Sequence, residues 1–244
     1  MTVKNNTTII ASIRNRNQIL QQTLPNWLLF DISIIIVDWR DDGCESAWDI
    51  VKSFNNPLIT LIETKFEYRF TISHALNLAI SQVKTEYILK LDVDYLLHDD
   101  FFDKNILAEN EFICGCKLVK YYNADNSLYG CLFTKKEYID TIGGYNENLI
   151  FYGADDTNLY NRLATQYKQV MLSIDSVTHI PHSNKMSFVN QLQYAPDTVN
   201  YDSFYVVLNW FNNKILSFGW DKNNCLQWHI QQLEYNRYLA IRSV

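Results

Sequence analysis

Short apolar runs rich in β-branched residues alternate with segments of helical periodicity from residue 7 to residue 91. This alternation is typical of a parallel sheet, because each buried parallel strand needs a crossover helix to cover it. In the clearest helical segment Leu76, Ala79 and Val83 repeat at three and four residues, and Thr71 is placed as its N-cap. We predict strands at 7–13, 32–38, 58–63 and 87–91 and helices at 17–29, 45–54 and 72–83. The fold class is therefore α/β, with a mostly parallel central sheet flanked by helices.

The second half of the chain is less regular. Residues 111–120 and 128–133 have strand-like patterns, 135–142 is helical, and the carboxylates Asp155 and Asp156 open a further helix. From about residue 187 the pattern is helical and aromatic, without a strand signal. We predict a main domain of residues 1–184 and a C-terminal helical appendage of residues 185–244. We expect the appendage to pack on the sheet as a cap; a cover over one side of the binding site, a homodimer surface and a peripheral membrane contact are its alternatives.

Composition limits the classes of function. Hydrophobic residues make up 48% of the 244 residues and charged residues 20%, as in folded proteins. The net charge of −6 argues against nucleic acid as a partner, since a phosphate backbone needs a basic face. We see no signal peptide and no apolar stretch long enough to span a bilayer. The five irregularly spaced cysteines predict free thiols in a reducing, cytoplasmic setting.

Carboxylates follow two of the predicted strands. Asp38 ends the second strand, and Asp92 and Asp94 follow the strand at 87–91, at the sheet edge where open α/β folds bind ligands. Because side chains alternate along a strand, we expect Asp92 and Asp94 to face one side and one divalent cation. Alone, such a triplet is more often a solvated loop. Asp38 could hydrogen-bond a nucleoside or cap a helix.

A second candidate cluster contains two histidines. His179 and His182 flank Pro181, which excludes a regular helix interior, and in an extended or turn conformation both could reach one metal. A pair of polar turn histidines is the simpler alternative. Mixed Asp and His ligands favour Mn²⁺ over Mg²⁺.

Three further features point to phosphate and proton chemistry. Arg14 and Arg16 follow the first strand, where guanidinium groups can grip a diphosphate or simply line a polar rim. Asp155 and Asp156 complement a helix dipole, and a carboxylate there can also act as a general base. Gly130 precedes a strand end, where the backbone could approach a ligand closely.

Together and in order, these segments resemble the GT-A glycosyltransferases over about residues 7–185. The resemblance is closest to the β-1,4-galactosyltransferase family and to bacterial family-2, chondroitin-polymerase-like transferases. The run Ile13, Arg14, Asn15, Arg16, Asn17 resembles that family's Phe-Arg-Asn-Arg loop, and Asp92, Val93, Asp94 resembles its Asp-Val-Asp (DXD) element. Residues 142–147 and 152–156 are similar to its Gly-Phe turn and its Trp-Gly-Gly-Glu-Asp-Asp box. Tyr152 stands for the usual Trp and Ala154 for a Gly.

The resemblance implies a role for each position. Asp156 is the expected catalytic base, and Tyr152 and Asp155 are expected to bind the acceptor. Asp94, His179 and His182 are expected to hold Mn²⁺, or Mg²⁺ in its place, with His179 at a methionine position of the animal enzymes. The expected donor-binding set is Ile13, Arg14, Arg16, Asp38, Asn77, Asp92 and Gly130.

The function these roles imply is an inverting, metal-dependent transfer of a hexose or N-acetylhexosamine from a UDP-sugar to a glycan or glycolipid hydroxyl. Bacterial surface polysaccharide synthesis, in the cytoplasm or at the inner face of the membrane, is the expected setting. Two other functions are considered. A sugar nucleotidyltransferase would usually carry a Gly-rich loop near the first strand, which is missing here. A non-catalytic carbohydrate- or nucleotide-binding subunit would not be expected to keep Asp94, Asp156 and both histidines.

Overall fold

The computed structural model describes residues 2–40, 43–64, 70–115, 128–149, 153–181, 220 and 227–242. Six α-helices lie in these ranges: α1 (Asn17–Leu28), α2 (Trp48–Phe54), α3 (Ile72–Gln82), α4 (Phe101–Lys104), α5 (Lys136–Thr141) and α6 (Asp155–Leu163). The described strands are β1 (Thr7–Ile13), β2 (Ser33–Asp38), β3 (Ile59–Thr64), β4 (Tyr87–Lys90), β5 (Tyr95–Leu97), β6 (Glu111–Cys114), β7 (Leu132–Lys135), β8 (Lys168–Met171), β9 (Val177–His179), β10 (Trp228–Glu234) and β11 (Arg237–Arg242).

Nine of the described strands form one sheet in the order β10-β11-β3-β2-β1-β4-β7-β6-β8. The block from β11 to β4 is parallel throughout, and β6 and β8 are also parallel. Strand β7 runs antiparallel to both β4 and β6. The remaining two strands, β5 and β9, form a separate antiparallel pair. The predicted α/β fold with a mostly parallel central sheet is confirmed.

Each face of the sheet carries its own core, because side chains alternate along a strand. On β1, Ile9 and Ile13 pack toward α1 and α2 with Leu24 and Trp27, whereas Ile10 packs on the opposite face. That opposite face is covered by α3, α5 and α6, through buried residues that include Ala75, Leu76, Ala79, Ile139, Leu159 and Leu163. The sheet is thus a buried layer between two helical layers, and only its edges can present a site.

The predicted helix 72–83 is confirmed as α3, and the Thr71 side chain accepts a hydrogen bond from the His74 backbone N–H at 3.3 Å. The predicted helix 45–54 is shorter, since α2 begins at Trp48. Ser46 Oγ accepts from the Trp48 backbone N–H at 2.9 Å, and Asp38 accepts from Ala47. The residues before Trp48 therefore form the helix entry. The predicted strand at 128–133 is displaced, because residues 129 and 130 form a turn and β7 begins at Leu132.

The prediction that residues 185–244 are helical is wrong for residues 228–242, which form a β-hairpin. The hairpin turns at Asn236, whose φ is 62°, and β11 pairs with β3 in register Tyr238↔Ile62. The strand state of this segment depends on an open sheet edge far away in sequence, which local periodicity does not record. These strands therefore extend the main sheet and are not a separate appendage. The stretches 185–219 and 221–226 of the predicted appendage lie outside the described residues.

The expected packing of the C-terminal aromatic residues is observed at one position. The Trp228 ring on β10 meets the Trp39 ring edge-on, with centroids 5.9 Å apart. Cys44, Cys114 and Cys131, which lie in the described ranges, carry thiols that form no disulfide. None of the helices in the described part of the chain is long and apolar enough to cross a bilayer.

Candidate active site

The candidate site lies where β1, β2 and β4 end at their carboxyl termini. These three strands are neighbours and parallel, so the residues that follow them share one edge of the sheet. Arg14 follows β1, Asp38 ends β2, and Asp92 and Asp94 follow β4. The predicted concentration of charged side chains at this edge is therefore found in the structure.

Asp92 and Asp94 are held by different partners. Lys90 Nζ donates to Asp92 Oδ1 at 2.9 Å, whereas Arg16 Nη1 donates to Asp94 Oδ2 at 3.0 Å. Strand β4 ends at Lys90 and residues 93 and 94 form a turn, so strand alternation does not set the directions of these two side chains. Asp92 is held by Lys90 and Asp94 by Arg16, and the expectation that both carboxylates face one cation stays a prediction.

Asp94 and His179 form the described part of the predicted metal site. The β5–β9 pairing sets Tyr95 opposite His179, so the imidazole lies beside the residue before Tyr95. His179 Nε2 is 3.7 Å from Asp94 Oδ2, a separation at which both atoms can bind one cation. In the ranges that the structure describes, no three His, Cys, Asp or Glu side chains complete a metal site. The third predicted ligand, His182, lies outside the described residues.

A buried carboxylate oxygen and an imidazole nitrogen are ligands that suit Mn²⁺, so the residues present fit this ion. Arg16 stands at the same Asp94 oxygen, and its positive charge balances the carboxylate there. Arg16 therefore lies beside a residue of the expected metal site, and its predicted contact with a donor diphosphate stays a prediction.

Gly130 packs directly on Asp92. A Cβ built on residue 130 would overlap the Asp92 carboxyl group, so only glycine leaves room for that carboxylate. The Gly130 backbone N–H donates to Tyr95 Oη at 3.1 Å, which fixes the turn against β5. The expected approach of Gly130 to a donor sugar stays a prediction, and the observed close approach is to the Asp92 carboxylate.

Asp156 lies in the first turn of α6. The helix is entered through Gly153 at φ 87° and Ala154 at φ 70°, both in the left-handed region. Ala154 stands at a family glycine, and this backbone conformation is one that glycine adopts without strain. Tyr152, which is expected to bind the acceptor, lies outside the described residues.

Two side chains hold the Asp156 carboxylate. Lys90 Nζ donates to both oxygens, at 3.2 and 3.3 Å, and Tyr145 Oη donates to Oδ1 at 3.1 Å. Burial raises the pKa of Asp156 to about 7, a rise that Lys90 opposes and the neighbouring carboxylates Asp155 and Asp92 reinforce. A carboxyl group with this pKa exchanges protons near neutral pH, which is what a general base needs.

The pKa values of the surrounding groups are also shifted. Burial raises the pKa of Asp155 above its usual value, while Lys90 opposes the rise. Burial alone would lower the pKa of Lys90, but Asp156 and Asp92 hold it well above its usual range. Burial, reinforced by Asp156, likewise raises the pKa of Tyr145 well above its usual range. Lys90 and Tyr145 are therefore hydrogen-bond donors at neutral pH, not acids.

Three of the other predicted donor-binding residues are buried. Arg14 is buried, with its guanidinium 5.6 Å from the Phe70 ring centroid. The Ile13 side chain is in the core, and its carbonyl accepts from the Trp39 backbone N–H at 2.9 Å. Asp38 is buried and caps α2 by accepting from the Ala47 N–H at 2.8 Å, which is the helix-cap alternative. Burial raises the pKa of Asp38 to about 6. The donor contacts of these three residues stay predictions.

Asn77 holds the glycine turn of residues 143–147. Its amide Nδ2 donates to the Tyr145 carbonyl and to Glu147, at 2.9 and 2.8 Å, and its Oδ1 accepts from the Tyr145 N–H at 2.7 Å. A Cβ on Gly144 would lie 2.5 Å from Asn77 Oδ1, so the fit requires glycine. The structure thus gives Asn77 a positioning role toward Tyr145, and its predicted donor contact stays untested.

The sequence analysis gave no role to two residues of this cluster, Lys90 and Tyr145. A signal for Lys90 existed: a lysine in an otherwise apolar buried strand is anomalous unless a carboxylate meets it. Tyr145 could not be distinguished from an ordinary core aromatic residue, because its partner Asp156 is reached only through the fold.

Two kinds of comparison bear on this site. Residues 110–183 match the family model described as the N-terminal domain of galactosyltransferase. The matched segment contains Gly130, Tyr145, Asp156 and His179, but neither the first three strands nor the hairpin. No curated protein matches the chain.

Similar solved structures cover more of the chain. Drosophila β1,4-galactosyltransferase 7 in complex with xylobiose is 16% identical, with a TM-score of 0.58 over 97% of this chain and 92% of that one. A mutant of that enzyme, in complex with manganese, UDP-Gal and xylobiose, is 15% identical, with a TM-score of 0.59 over the same shares. A mannosyltransferase from Pyrobaculum calidifontis, in complex with GDP-Man and Mn²⁺, is 18% identical, with a TM-score of 0.52 over 68% of this chain and 54% of that one.

These similarities confirm the predicted resemblance. The arrangement of the sheet is shared with solved glycosyltransferases, and the segment that carries the Lys90 partner Asp156 and the histidine strand matches a galactosyltransferase model. The chain has the GT-A glycosyltransferase fold, with a galactosyltransferase-type segment at residues 110–183.

Proposed function

We propose that this chain is an inverting, manganese-dependent glycosyltransferase that moves a hexose or N-acetylhexosamine from a UDP-sugar to a glycan or glycolipid hydroxyl. The observation that carries the proposal is the placement of Asp156, a buried carboxylate with a pKa of about 7, beside the donor-side carboxylate Asp92. The similar structures bound to UDP-Gal, GDP-Man, Mn²⁺ and xylobiose support the classes of donor, ion and acceptor.

The chemistry proposed for Asp156 is proton removal. The acceptor hydroxyl oxygen attacks the anomeric carbon as the bond from that carbon to the diphosphate oxygen breaks, and its proton passes to an Asp156 oxygen. A carboxylate has about four lone-pair positions, so donation from Lys90 and Tyr145 still leaves one for the acceptor hydroxyl. One carboxylate acting as base, with no covalent sugar intermediate, gives inversion at the anomeric carbon.

The leaving diphosphate gains negative charge as this bond breaks. Asp94 and His179 would hold the Mn²⁺ ion together with His182, and the ion would neutralise that charge when bound. Arg16, 3.0 Å from Asp94, adds a fixed positive charge at the same place. In this proposal the diphosphate end of the donor lies at Arg16 and the cation-binding pair of Asp94 and His179. The acceptor end of the site lies at the base Asp156.

Surface polysaccharide synthesis in a bacterial cytoplasm, or at the inner face of its membrane, is our proposed setting. It rests on the sequence resemblance to family-2 transferases of that kind. A peripheral membrane contact and a homodimer belong to the same proposal, and sedimentation with lipid vesicles and light scattering test them directly.

UDP release from a panel of UDP-sugars, with and without Mn²⁺, tests the function. We expect one donor to be turned over only with Mn²⁺, and Asp156→Asn to lower kcat by about 10²–10⁴-fold. The mutant should still be stabilised thermally by UDP with Mn²⁺, because Asp156 does not hold the nucleotide. Asp103→Asn, an exposed substitution on α4, is the matched control and should leave turnover unchanged.

Other outcomes select the alternatives. Binding of UDP with no turnover of any donor would favour the non-catalytic subunit. Release of pyrophosphate from a sugar phosphate and a nucleoside triphosphate would favour a nucleotidyltransferase. If Asp156→Asn turned over the donor at the wild-type rate, Asp156 would not be the catalytic base.

A further inference from the structure

Lys90 is a fully buried cation at the end of a central strand. Strand β4 lies between β1 and β7, and the backbone of Lys90 pairs with Ile10 on one side and Leu132 on the other. Its side chain is 1% exposed, so neither a donor nor an acceptor can touch the ammonium. Whatever Lys90 does for the reaction, it does through the side chains that surround it.

Those side chains are mostly acidic. Nζ lies 2.9 Å from Asp92 Oδ1 and 3.2 Å from Asp156 Oδ1, and Asp155 adjoins Asp156 on α6. The other titratable groups that face Asp156 are Tyr145 after α5, Tyr160 on α6 and Cys131 before β7. Burial raises the pKa values of both Tyr160 and Cys131 well above their usual ranges, so both side chains are neutral. Lys90 is therefore the cation in direct contact with this carboxylate cluster.

A buried carboxylate cluster without a cation takes up protons, because like charges close together in a poorly solvated site cannot all remain ionised. A buried ammonium is equally costly unless carboxylates meet it. Lys90 and the two aspartates satisfy both requirements at once. The contact also bridges the two sides of the site, since Asp92 lies at the strand end near Gly130 while Asp156 lies on α6.

We propose that Lys90 is a positioning residue for sugar transfer: its ammonium ties the base Asp156 to Asp92, holds the two carboxylates in fixed relation and keeps the Asp156 carboxylate ionised. This inference rests on the proposed function, in which Asp156 receives the acceptor proton. Lys90 transfers no proton itself, since the acidic neighbours hold its pKa well above its usual range.

Lys90→Met tests the proposal, because methionine is of similar length and carries no charge. Loss of a cation in direct contact raises a carboxylate pKa by about 1–3 units, so the acid limb of the kcat profile should move up by that amount. At pH 7 kcat should fall by at least about fivefold, since less of Asp156 is ionised. Lys135→Met is the matched control: Lys135 ends β7 and pairs with Glu109 at 2.8 Å, away from the site, and its pH profile should match wild type.

A double-mutant cycle separates this role from simple packing. In an Asp156→Asn background, Lys90→Met should lower the residual kcat by no more than about twofold to threefold, because the residues act as a unit. An equal loss in both backgrounds, or an unmoved acid limb in Lys90→Met, would overturn the proposal. Should Lys90→Met fail to fold, Lys90→Gln keeps an N–H donor without the charge and must show the same upward shift.

Carboxyl ¹³C NMR of aspartate-labelled protein gives a readout without turnover, with the Asp156 signal assigned by its loss in Asp156→Asn. The signal should titrate at higher pH in Lys90→Met than in wild type. No shift would overturn the role of Lys90 whether or not a donor is turned over. If the wild-type protein turns over a donor but the Asp156 signal titrates at the same pH in Lys90→Met, only the role of Lys90 is refuted. If the Asp156 signal shifts but the wild-type protein turns over no donor, only the proposed function is refuted.

Discussion

The Asp92 carboxyl group occupies the space that a Cβ on residue 130 would need, so Asp92 packs directly against the Gly130 backbone. Asp92 is held from the other side by Lys90 Nζ at 2.9 Å. The position of Asp92 is thus fixed on one side by Gly130, which has no side chain, and on the other side by the buried Lys90 ammonium. Both are properties of the loop and strand around the site, not of the DXD element itself.

Gly130→Ala should displace Asp92 and lower Mn²⁺-dependent turnover. A shift of about 1 Å in a catalytic constellation costs on the order of a hundredfold in rate, which is the loss we expect in kcat/KM for the donor. Gly43→Ala is the control. A Cβ there meets open space, although its φ of +80° costs about 1 kcal/mol of stability, so turnover should be kept. Equal turnover in Gly130→Ala and Gly43→Ala would contradict the inference that Gly130 fixes the position of Asp92.

Tyr145→Phe removes one of the two donors to Asp156 and leaves the buried ring in place. A hydrogen bond to a charged group contributes about 1.5–3 kcal/mol, so kcat should fall roughly tenfold to a hundredfold, with the acid limb moving to higher pH. Tyr138→Phe on α5 is the matched control, because its hydroxyl binds Glu109 and the Asn110 N–H, away from the site. Unchanged kcat in Tyr145→Phe would show that Asp156 does not need this hydroxyl.

The sequence predicted the parts of this fold that depend on local periodicity. Strand β1, helix α3 and the carboxylates at the ends of β2 and β4 were expected from the pattern and were found. The hairpin of β10 and β11 was not, because the state of those residues is decided by the open edge of β3. Likewise, Asp156 could be aligned by motif, but its contacts with Lys90 and Tyr145 join residues 66 and 11 positions apart.

Two of the predicted donor-binding residues have hydrogen-bond partners within the protein, and their donor contacts stay predictions. Asn77 was expected to bind the donor, and in the structure its amide is used on the turn of residues 143–147. Asp38 had two interpretations, and the buried carboxylate caps α2. Asparagine and aspartate can each bind a ligand or hydrogen-bond the protein backbone. The backbone contacts of Asn77 and Asp38 are seen only in the distances that the fold sets.

Asp38 should make stability depend on pH. Burial raises the pKa from 3.8 to about 6 in the folded protein, and Oδ1 has no hydrogen-bond partner among the described residues. Between these values the folded state keeps a proton that the unfolded state has lost, so the free energy of unfolding falls as pH rises from about 4 to about 6. Asp38→Asn keeps an acceptor for the Ala47 N–H and should be more stable than wild type at pH 7 by roughly 1–3 kcal/mol.

Urea denaturation of both proteins from pH 4 to pH 8 measures this effect. The two curves should meet near pH 4 and separate toward pH 7, and parallel curves would contradict the assignment. UDP affinity of the same variant tests the predicted nucleoside contact of Asp38 separately. Unchanged affinity would leave Asp38 with its capping role alone.

The C-terminal hairpin should depend on the pair between Arg237 and Glu63. Arg237 Nε donates to Glu63 Oε2 at 2.6 Å, and Ser46 Oγ donates to the other oxygen, also at 2.6 Å. Burial alone would raise the pKa of Glu63, but these two donors lower it below its usual value. Arg237→Met removes the cation that hydrogen-bonds the buried carboxylate and leaves only the longer contact with Arg40 at 3.9 Å, so the free energy of unfolding at pH 7 should fall by about 1–3 kcal/mol.

Lys52→Met provides the comparison, because Lys52 joins the same hairpin through an exposed pair with Glu234 at 3.9 Å. Exposed pairs contribute at most about 1 kcal/mol, so this variant should unfold within about 0.5 kcal/mol of wild type. Because the Glu63 pKa is lowered in the folded state, the stability that depends on Arg237 should be present at pH 7 and lost as pH falls below the usual value of 4.5. A single urea transition in Arg237→Met, displaced as a whole, would show that the hairpin unfolds with the sheet. A separate early transition would show instead that the hairpin detaches first.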